Sequence, residues 1–512
     1  MLHHLLDRAA HRWPDRIAVA ESGRTISYGE LNRRAESIAR GLSEEGVVRG
    51  DRVAIYLDNR IETVVAIFAA LKAGAAFMMV NPTTKQQKLQ QLLDHARASA
   101  VIACERGMTT LAGIDRLASV RAAVTLGERP EPLACGAQVV TWADLSEAPA
   151  LPKVEVGNDR DLAALLYTSG STGAPKGVML SHLNVETVID SVTTYLELTA
   201  DDVTFCVLPL SFGYGLTQLF PAMHVGARLV LEKGIVFPPV TLTRMVEQRA
   251  TGFAMVPTMA NLLLNLDLSR YDLSSLRYVT NAGAGLPPEL ARRFRQALPH
   301  VRLYLMYGQT ECLRASYLDP HQVDARPDSV GRGMPNEEVF VIDEAGAPVG
   351  PGDVGELVVR GPHVLNGYWE LPEETDRKLR PGRMAGEPML YTGDLFKRDA
   401  EGYLYFVGRQ DDIIKSRGEK VSPREVENAL YMLEGVAEAA VVGVPHPLLG
   451  QAVKAVVVLA EGASLDARAV QRHCAMHLED FMVPSLVEFR TDLPKNERGK
   501  IVRRDLVASM AG

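Results

Sequence analysis

The chain has little cysteine, and what it has is scattered: Cys104, Cys135, Cys206, Cys312 and Cys474, an odd number. None stands at metal-ligand spacing from another and no set makes a disulfide framework, which fits a reducing cytoplasm. Long apolar runs are missing too. The most apolar stretch, Val64 to Val80, is broken by Lys72 and Gly74, too short and too mixed to cross a bilayer. The N-terminus, Met-Leu-His-His-Leu-Leu-Asp-Arg, lacks the long apolar region of a signal peptide. Nor is there an excess of positive charge. The net charge is −8 and the pI is near 5.9, which leaves no electrostatic footprint for nucleic acid. Charges are spread rather than blocked, so no disordered tail is evident. The expectation is a soluble cytoplasmic protein with no membrane span. Its 512 residues, 47% of them apolar, suffice for large cores and more than one domain.

What the sequence does have is a punctuated stretch from Leu165 to Leu180. An apolar run, Leu162 to Tyr167, reads as a buried strand. It empties into Thr168, Ser169, Gly170, Ser171, Thr172 and Gly173, then Pro175 and Lys176, then a second short apolar run from Gly177. Glycines let backbone N–H groups approach a polyanion, hydroxyls add donors, and a lysine adds a mobile positive charge. A Walker loop needs Gly-x-x-x-x-Gly-Lys-Ser/Thr opening a helix. Here Gly177 follows Lys176 and the next residues predict a strand, so phosphate binding on a helix dipole is not expected. An ordinary Gly/Ser hairpin linker is the competing reading on composition alone.

The whole string Tyr-Thr-Ser-Gly-Ser-Thr-Gly-x-Pro-Lys-Gly, residues 167–177, resembles the signature loop of the adenylate-forming superfamily. That superfamily comprises acyl-CoA synthetases, carrier-protein adenylation domains and beetle luciferases. The resemblance extends over nearly the whole chain in five ordered motifs. It implies a large N-terminal domain of α/β sheets with a β-rich subdomain, residues 1–409, and a small mobile α+β lid domain, residues 410–512. The substrates implied are ATP with Mg²⁺, a carboxylic acid and a thiol.

Along the chain, residues 1 to about 150 alternate helical and strand patterns, the rhythm of α/β architecture. Ser27-Tyr-Gly-Glu30 reads as a capping box, with Leu31, Ala35, Ile38, Ala39 and Leu42 on one helical face. Strands are predicted at Val53 to Leu57 and Ala75 to Val80, with a helix from Ile61 to Leu71. His3, His4 and His95 read as packing or surface residues. After the loop, Ser181-His182 starts a helix, and Val203 to Pro209 predicts a strand ending at Leu210-Ser-Phe-Gly-Tyr-Gly215. In the family this place lines the acyl pocket, so Phe212, Gly213, Tyr214, Val256, Gly308 and Leu313 are implied there. Many acyl-CoA ligases carry histidine where Phe212 stands, and amino-acid-activating relatives carry aspartate where Gly213 stands. Without that carboxylate a substrate ammonium would enter unpaired, which disfavours an amino-acid substrate. Gly213 reads equally as a packing glycine. Arg314, close after the Tyr-Gly-x-Thr-Glu motif, reads as a surface residue, with a contact to a polar group on the acid as the second reading.

Tyr307-Gly-Gln-Thr-Glu311 follows an apolar run and matches the family's Tyr-Gly-x-Thr-Glu. The resemblance implies that Tyr307 stacks on adenine, Thr310 bonds the α-phosphate and Glu311 helps hold Mg²⁺. Asn281, Gly283, Ala284 and Gly308 would wall the adenine, although the family's usual proline near Gly285 is absent. One carboxylate can accept two hydrogen bonds from vicinal hydroxyls, and Asp394 in Tyr391-Thr-Gly-Asp394 matches the family residue that does so for ribose. Arg409 is implied to contact ribose and phosphate, Asp411 to be the hinge, and Lys415, Gly418 and Lys420 to lie on segments that meet the site in alternate orientations. Ser422-Pro-Arg-Glu425 is a second capping box with proline at the first helical position. Strands at Ala439–Val444 and Val453–Leu459 and a helix after Asp466 complete the lid. Leu493-Pro-Lys-Asn-Glu-Arg-Gly-Lys500 resembles the family's closing motif, whose second lysine is catalytic; on spacing alone it is a solvated basic tail.

The implied catalytic set is Lys500, Thr168, Glu311 and Lys176, and the implied reaction is acid activation to acyl-AMP followed by thioester formation. The thiol is coenzyme A or the phosphopantetheine of a free-standing carrier protein; no carrier domain is fused. An adenylate-binding module without catalysis is the reading from another class.

Overall fold

The computed structural model describes the chain except residues 129–131, 147–156, 170–174, 236, 383–386, 417–418, 447–448, 497–499 and 508–512, and the side chain of Ser169. The fold is mixed α/β with three sheets. A seven-stranded sheet runs Gln138–Thr141, Ala122–Thr125, Ala100–Ala103, Arg52–Tyr56, Ala76–Met79, Leu162–Ser169, Pro175–Ser181. All its pairs are parallel except the last, which is antiparallel.

A 14-stranded sheet has a parallel half and an antiparallel half. Its parallel strands are Ile17–Glu21, Arg228–Leu231, Val203–Cys206, Gly252–Met255, Tyr278–Asn281 and Arg302–Tyr307. From Arg302–Tyr307 outward, Ser316–Tyr317, Ser329–Gly333, Leu404–Arg409, Pro388–Arg398, Val354–Arg360 and Glu338–Ile342 pair antiparallel. The β-rich region expected before residue 400 is therefore an extension of the main sheet, and it runs to Arg409. The strand expected over Val203–Pro209 stops at Cys206.

The helix Tyr28–Glu44 forms as its pattern predicts, with Leu31, Ala35, Ile38, Ala39 and Leu42 fully buried. Ser27 Oγ accepts from the Glu30 amide at 3.3 Å, but the Glu30 carboxylate turns to Arg34 at 2.6 Å, so only half of the capping box closes. The helix Ile61–Lys72 is buried on every side between layers, which explains the long apolar run in the sequence.

The C-terminal sheet has five strands: Glu419–Val421, Ile414–Ser416, Gly450–Leu459 and Val436–His446, with Leu486–Arg490 pairing Gly450–Leu459. Helices Pro423–Tyr431 and Ala467–His477 bury Val426, Leu430, Val470 and Cys474 against it. Pro423 sits in the first turn after Ser422, whose Oγ accepts from the Glu425 amide at 3.3 Å. Among the described residues no helix is long and apolar enough to cross a membrane.

Candidate active site

The punctuated stretch is a hairpin. Thr168 stands opposite Lys176 and Ser169 opposite Pro175. The next helix, His182–Tyr195, begins only after Ser181, where Ser181 and Asn184 close a capping box at 2.7 and 3.2 Å. No helix N-terminus therefore follows the loop directly. Gly170, Ser171, Thr172 and Gly173 lie outside the described residues. At the base, the Tyr167 hydroxyl and His95 Nδ1 are 2.7 Å apart, so His95 packs under the hairpin.

The open flank of the second strand is covered by a distant segment. The Asn366 and Trp369 amides donate to Met179 O and Gly177 O at 2.9 and 2.7 Å, and the Met179 amide donates to Gly367 O at 3.0 Å. This strap delivers Tyr368. Its hydroxyl donates to Glu311 Oε1 at 2.7 Å, and its ring centroid lies 5.8 Å from Lys176 Nζ. Burial first, then the Glu311 charge, push the Tyr368 hydroxyl far above its ordinary range, so it stays a donor. Lys176 pairs with Glu374 Oε2 at 2.6 Å, and that bond holds the Glu374 carboxyl below its usual value. Sequence reasoning missed Tyr368 and Glu374. Glu374 lies in the first turn of the helix Pro372–Lys378, where an acid reads as ordinary complement to the dipole.

Tyr307 ends a strand and Asp394 lies on a strand of the antiparallel half, and the two meet. Tyr307 Oη donates to Asp394 Oδ2 at 2.6 Å, and Arg409 Nε donates to Asp394 Oδ1 at 3.2 Å. Asp394 is 6% exposed, while Arg409 is exposed at the rim. The Tyr307 ring packs edge-on against Phe396 at 4.9 Å and near-parallel to Phe406 at 6.3 Å. Its hydroxyl is pushed well up by burial and by the Asp394 charge. Thr310 and Glu311 follow in a turn closed by the Cys312 amide on Gln309 O at 3.1 Å.

Asn281 is 1% exposed and donates through Nδ2 to Ala284 O at 3.0 Å, which ties the strand end into the turn through Gly283, at φ +83°. A Cβ on Gly283 would stand 3.6 Å from Lys500 Cε and 3.7 Å from Val256 Cγ1. The C-terminal domain thus carries Lys500 to the Asn281–Ala284 wall. Asn496 and Lys500 are tied to each other: the Asn496 amide donates to Lys500 O at 2.8 Å, and the Lys500 amide donates to Asn496 Oδ1 at 3.0 Å. Lys495 pairs with Glu438 at 2.7 Å and Arg503 with Glu427 at 2.8 Å, so the basic segment is no solvated tail. Arg498 lies outside the described residues.

Around the expected acyl pocket, a Cβ on Gly213 would come within 2.8 Å of Leu313 Cδ2, and one on Gly308 within 2.7 Å of Leu313 O. Both glycines are needed for close approach to the turn at Leu313, which has φ +58°. Leu313 also closes an apolar cavity of about 10 Å³ shared with Phe77, Leu166, Ile189 and Phe220. Phe212 caps the helix Gly213–Val225, and the Tyr214 hydroxyl lies 2.7 Å from Thr280 Oγ1. Arg314 corrects the expectation of a surface residue: it is 2% exposed, its guanidinium 5.3 Å from the Tyr214 ring centroid.

Not everything converges. Lys415 lies on the strand Ile414–Ser416 of the C-terminal sheet, opposite Lys420, with its ammonium exposed and bonded to no described residue. Asp411 sits exposed in the single turn Gln410–Asp412 that joins the main sheet to the C-terminal sheet; Gly418 lies outside the described residues. The donor set at Glu311 suits a hard divalent cation. It offers one carboxylate, its Oε2 bonded to no described residue, to be completed by phosphate oxygens.

Strand ends carrying Asn281, Tyr307 and Asp394, with Lys500 brought to them from the C-terminal region, are shared by a known class, and the chain belongs to it: residues 6–369 match the AMP-binding enzyme family and residues 425–500 the AMP-binding enzyme C-terminal domain. Within these adenylate-forming enzymes it is an AMP-forming acid–thiol ligase of the acyl-CoA synthetase kind. It is 32% identical to a long-chain-fatty-acid–CoA ligase of Bacillus subtilis (strain 168), over 99% of this chain and 94% of that protein. It is 35% identical to a feruloyl-CoA synthase of an Amycolatopsis species, over 98% of this chain and 97% of that one. An anthranilate CoA ligase in complex with anthranoyl-AMP superposes with a TM-score of 0.90 at 27% identity, covering 99% of this chain and 96% of that chain.

Proposed function

We propose that this enzyme activates a carboxylic acid with an apolar fatty or aryl body to an acyl-AMP, using ATP, and passes the acyl group to coenzyme A. The observation that carries the reading is the meeting of Lys500 with the Asn281–Ala284 wall. The substrate carboxylate attacks the α-phosphorus, the bond to the bridging oxygen breaks, and pyrophosphate leaves with the electron pair. Two anions must approach, so catalysis is chiefly positioning and charge neutralisation.

Lys500 neutralises charge where the carboxylate meets the α-phosphate, with Thr310 as a donor. Tyr307 stacks against adenine beside Asn281, Gly283, Ala284 and Gly308. Asp394 accepts the ribose hydroxyls, with Arg409 alongside. Thr168 to Lys176 holds the departing pyrophosphate. Glu311 holds Mg²⁺, which supplies charge neutralisation on the phosphates when bound. The thiol step requires Lys500 to withdraw, and we assign the turn at Asp411 as the hinge of a lid spanning residues 410–512. The names of the relatives support coenzyme A rather than a carrier protein as acceptor.

Acid-dependent exchange of labelled pyrophosphate into ATP, followed by thioester assay with coenzyme A and with a holo-carrier protein, tests this. Exchange stimulated by acids and a thioester with coenzyme A are expected. No exchange with a broad panel of acids would end the adenylation reading, and a thioester with the carrier alone would replace the acceptor.

A further inference from the structure

The turn that receives Lys500 receives a second cation from the same domain. Gly283 and Gly285 stand two residues apart in the turn 281–285. A Cβ on Gly283 would lie 3.6 Å from Lys500 Cε, and one on Gly285 would fall 2.6 Å from both Cζ and Nη1 of Arg424. Gly285 does not share the left-handed φ of Gly283, so what glycine provides there is room. A guanidinium fills that room.

The seat is built from both domains. Arg424, in the first turn of the helix Pro423–Tyr431, donates through Nη2 to Asp328 Oδ1 at 2.6 Å and to Asp328 O at 3.5 Å. Asn428, one turn further along that helix, donates to the same Oδ1 at 3.3 Å. The guanidinium carbon lies 5.5 Å from the centroid of the Phe406 ring, and Phe406 in turn lies near-parallel to Tyr307. The Arg424 side chain is 12% exposed, so its bond to Asp328 is partly withdrawn from water and stronger than a pair on the open surface. Asp328 immediately precedes the strand Ser329–Gly333 of the main sheet, so the pair ties that sheet to the helix covering the C-terminal sheet. Two neutral bonds cross between the same parts, from Asn261 Nδ2 to Ala437 O at 3.2 Å and from Ser422 Oγ to Val407 O.

We propose that Arg424 is a positioning residue for adenylation: seated over Gly285 and bonded to Asp328, it holds the C-terminal domain where Lys500 meets Gly283, and it leaves the seat for the thiol step. This rests on the adenylation reading and adds the device that favours its first half-reaction. Contacts made in one orientation alone shift the population toward that orientation, and Arg424 acts on the chemistry only through Lys500.

The test separates the half-reactions in wild type, Arg424→Ala, Arg424→Lys, Gly285→Ala and the double variant Gly285→Ala with Arg424→Ala. Pyrophosphate exchange is measured with the fastest acid of the panel above, and thioester formation from the corresponding acyl-AMP with coenzyme A. Trypsin cleavage within residues 409–420, followed by mass spectrometry without any acid, reports how firmly the domain is docked, and melting temperatures are recorded throughout. Exchange is expected to fall ~10-fold in Arg424→Ala, as for loss of a hydrogen bond to a charged group, and to recover in part in Arg424→Lys. Gly285→Ala is expected to cause a similar fall by evicting the guanidinium, and the double variant to be no worse than Arg424→Ala, since both changes act on one seat. Thioester formation is expected not to slow in any variant, and cleavage to quicken in Arg424→Ala and Gly285→Ala. Unaltered exchange in Arg424→Ala overturns the inference and leaves adenylation standing. Equal loss in both half-reactions with a lower melting temperature assigns Arg424 a structural role and also overturns it. No exchange by wild type with any acid removes the adenylation reading; the docking is then judged by trypsin alone, upheld by quicker cleavage in the two variants and overturned by unchanged cleavage.

Discussion

Tyr368 donates its hydroxyl to the Glu311 carboxylate at 2.7 Å, across 57 residues of chain. The bond fixes the carboxylate we assign to the metal, and the same ring underlies Lys176. Tyr368→Phe keeps the ring and deletes the bond. A hydrogen bond to a charged group contributes about 1.5–3 kcal/mol, so the exchange rate at low Mg²⁺ is expected to fall by at least about tenfold. Titrating Mg²⁺ should show the loss as a raised metal requirement; an unaltered Mg²⁺ dependence counts against the assignment of Glu311.

Lys176 cannot serve a phosphate fully while it holds Glu374 at 2.6 Å. In Glu374→Gln the competitor loses its charge, and pyrophosphate is expected to inhibit more strongly, by roughly fivefold, within the range of a partly exposed ion pair. Product-inhibition curves check this. Weaker inhibition would mean that Glu374 aims the lysine instead of competing for it.

Lys500→Ala is expected to lower acyl-AMP formation by ~10²–10³-fold, the range for losing one preorganised electrostatic donor. Supplied acyl-AMP should still be converted to thioester. Adenylation persisting near the wild-type rate removes Lys500 from the mechanism.

At Asp411 a proline would restrict φ in the turn between the two sheets. Asp411→Pro is expected to spare adenylation and impair thioester formation, read as separate single-turnover rates. Equal loss in both half-reactions argues against a hinge there.

Burial depresses His3 to about 3 and His182 and His363 to about 4, from an ordinary 6.5. In the unfolded chain these groups take up protons below about 6.5, while the folded chain does not until its own lower values. Their stabilising contribution is complete above 6.5 and is lost as pH falls toward 4. The melting temperature is expected to drop across that window, and His363→Gln should flatten the drop. A melting curve that does not respond to pH there contradicts neutral burial.

The hairpin at 162–181 was legible because an apolar run met glycines and then resumed with a period suited to a strand. Tyr307, Asp394 and Lys500 were legible one by one as motifs. Their mutual bonds were not, since long-range pairing leaves no mark in local spacing. Tyr368 was invisible for the same reason: a tyrosine in Gly-Tyr-Trp has no periodic signal, and only the strap over Gly177–Met179 reveals its target. Arg314 was misread because charged side chains are mostly exposed, and nothing nearby in sequence announces a buried one. Lys415 illustrates the opposite case, a motif residue whose strand keeps it with the C-terminal sheet.

The strand Pro175–Ser181 is sutured along both edges, by Leu162–Ser169 on one and by residues 366–369 on the other. Chain segments nearly two hundred residues apart in order are consequently one mechanical part, and the strand that carries Lys176 cannot yield without breaking bonds to both neighbours. Compliance has to be found elsewhere, and the hinge we propose for a working cycle is the slender connection at Gln410–Asp412.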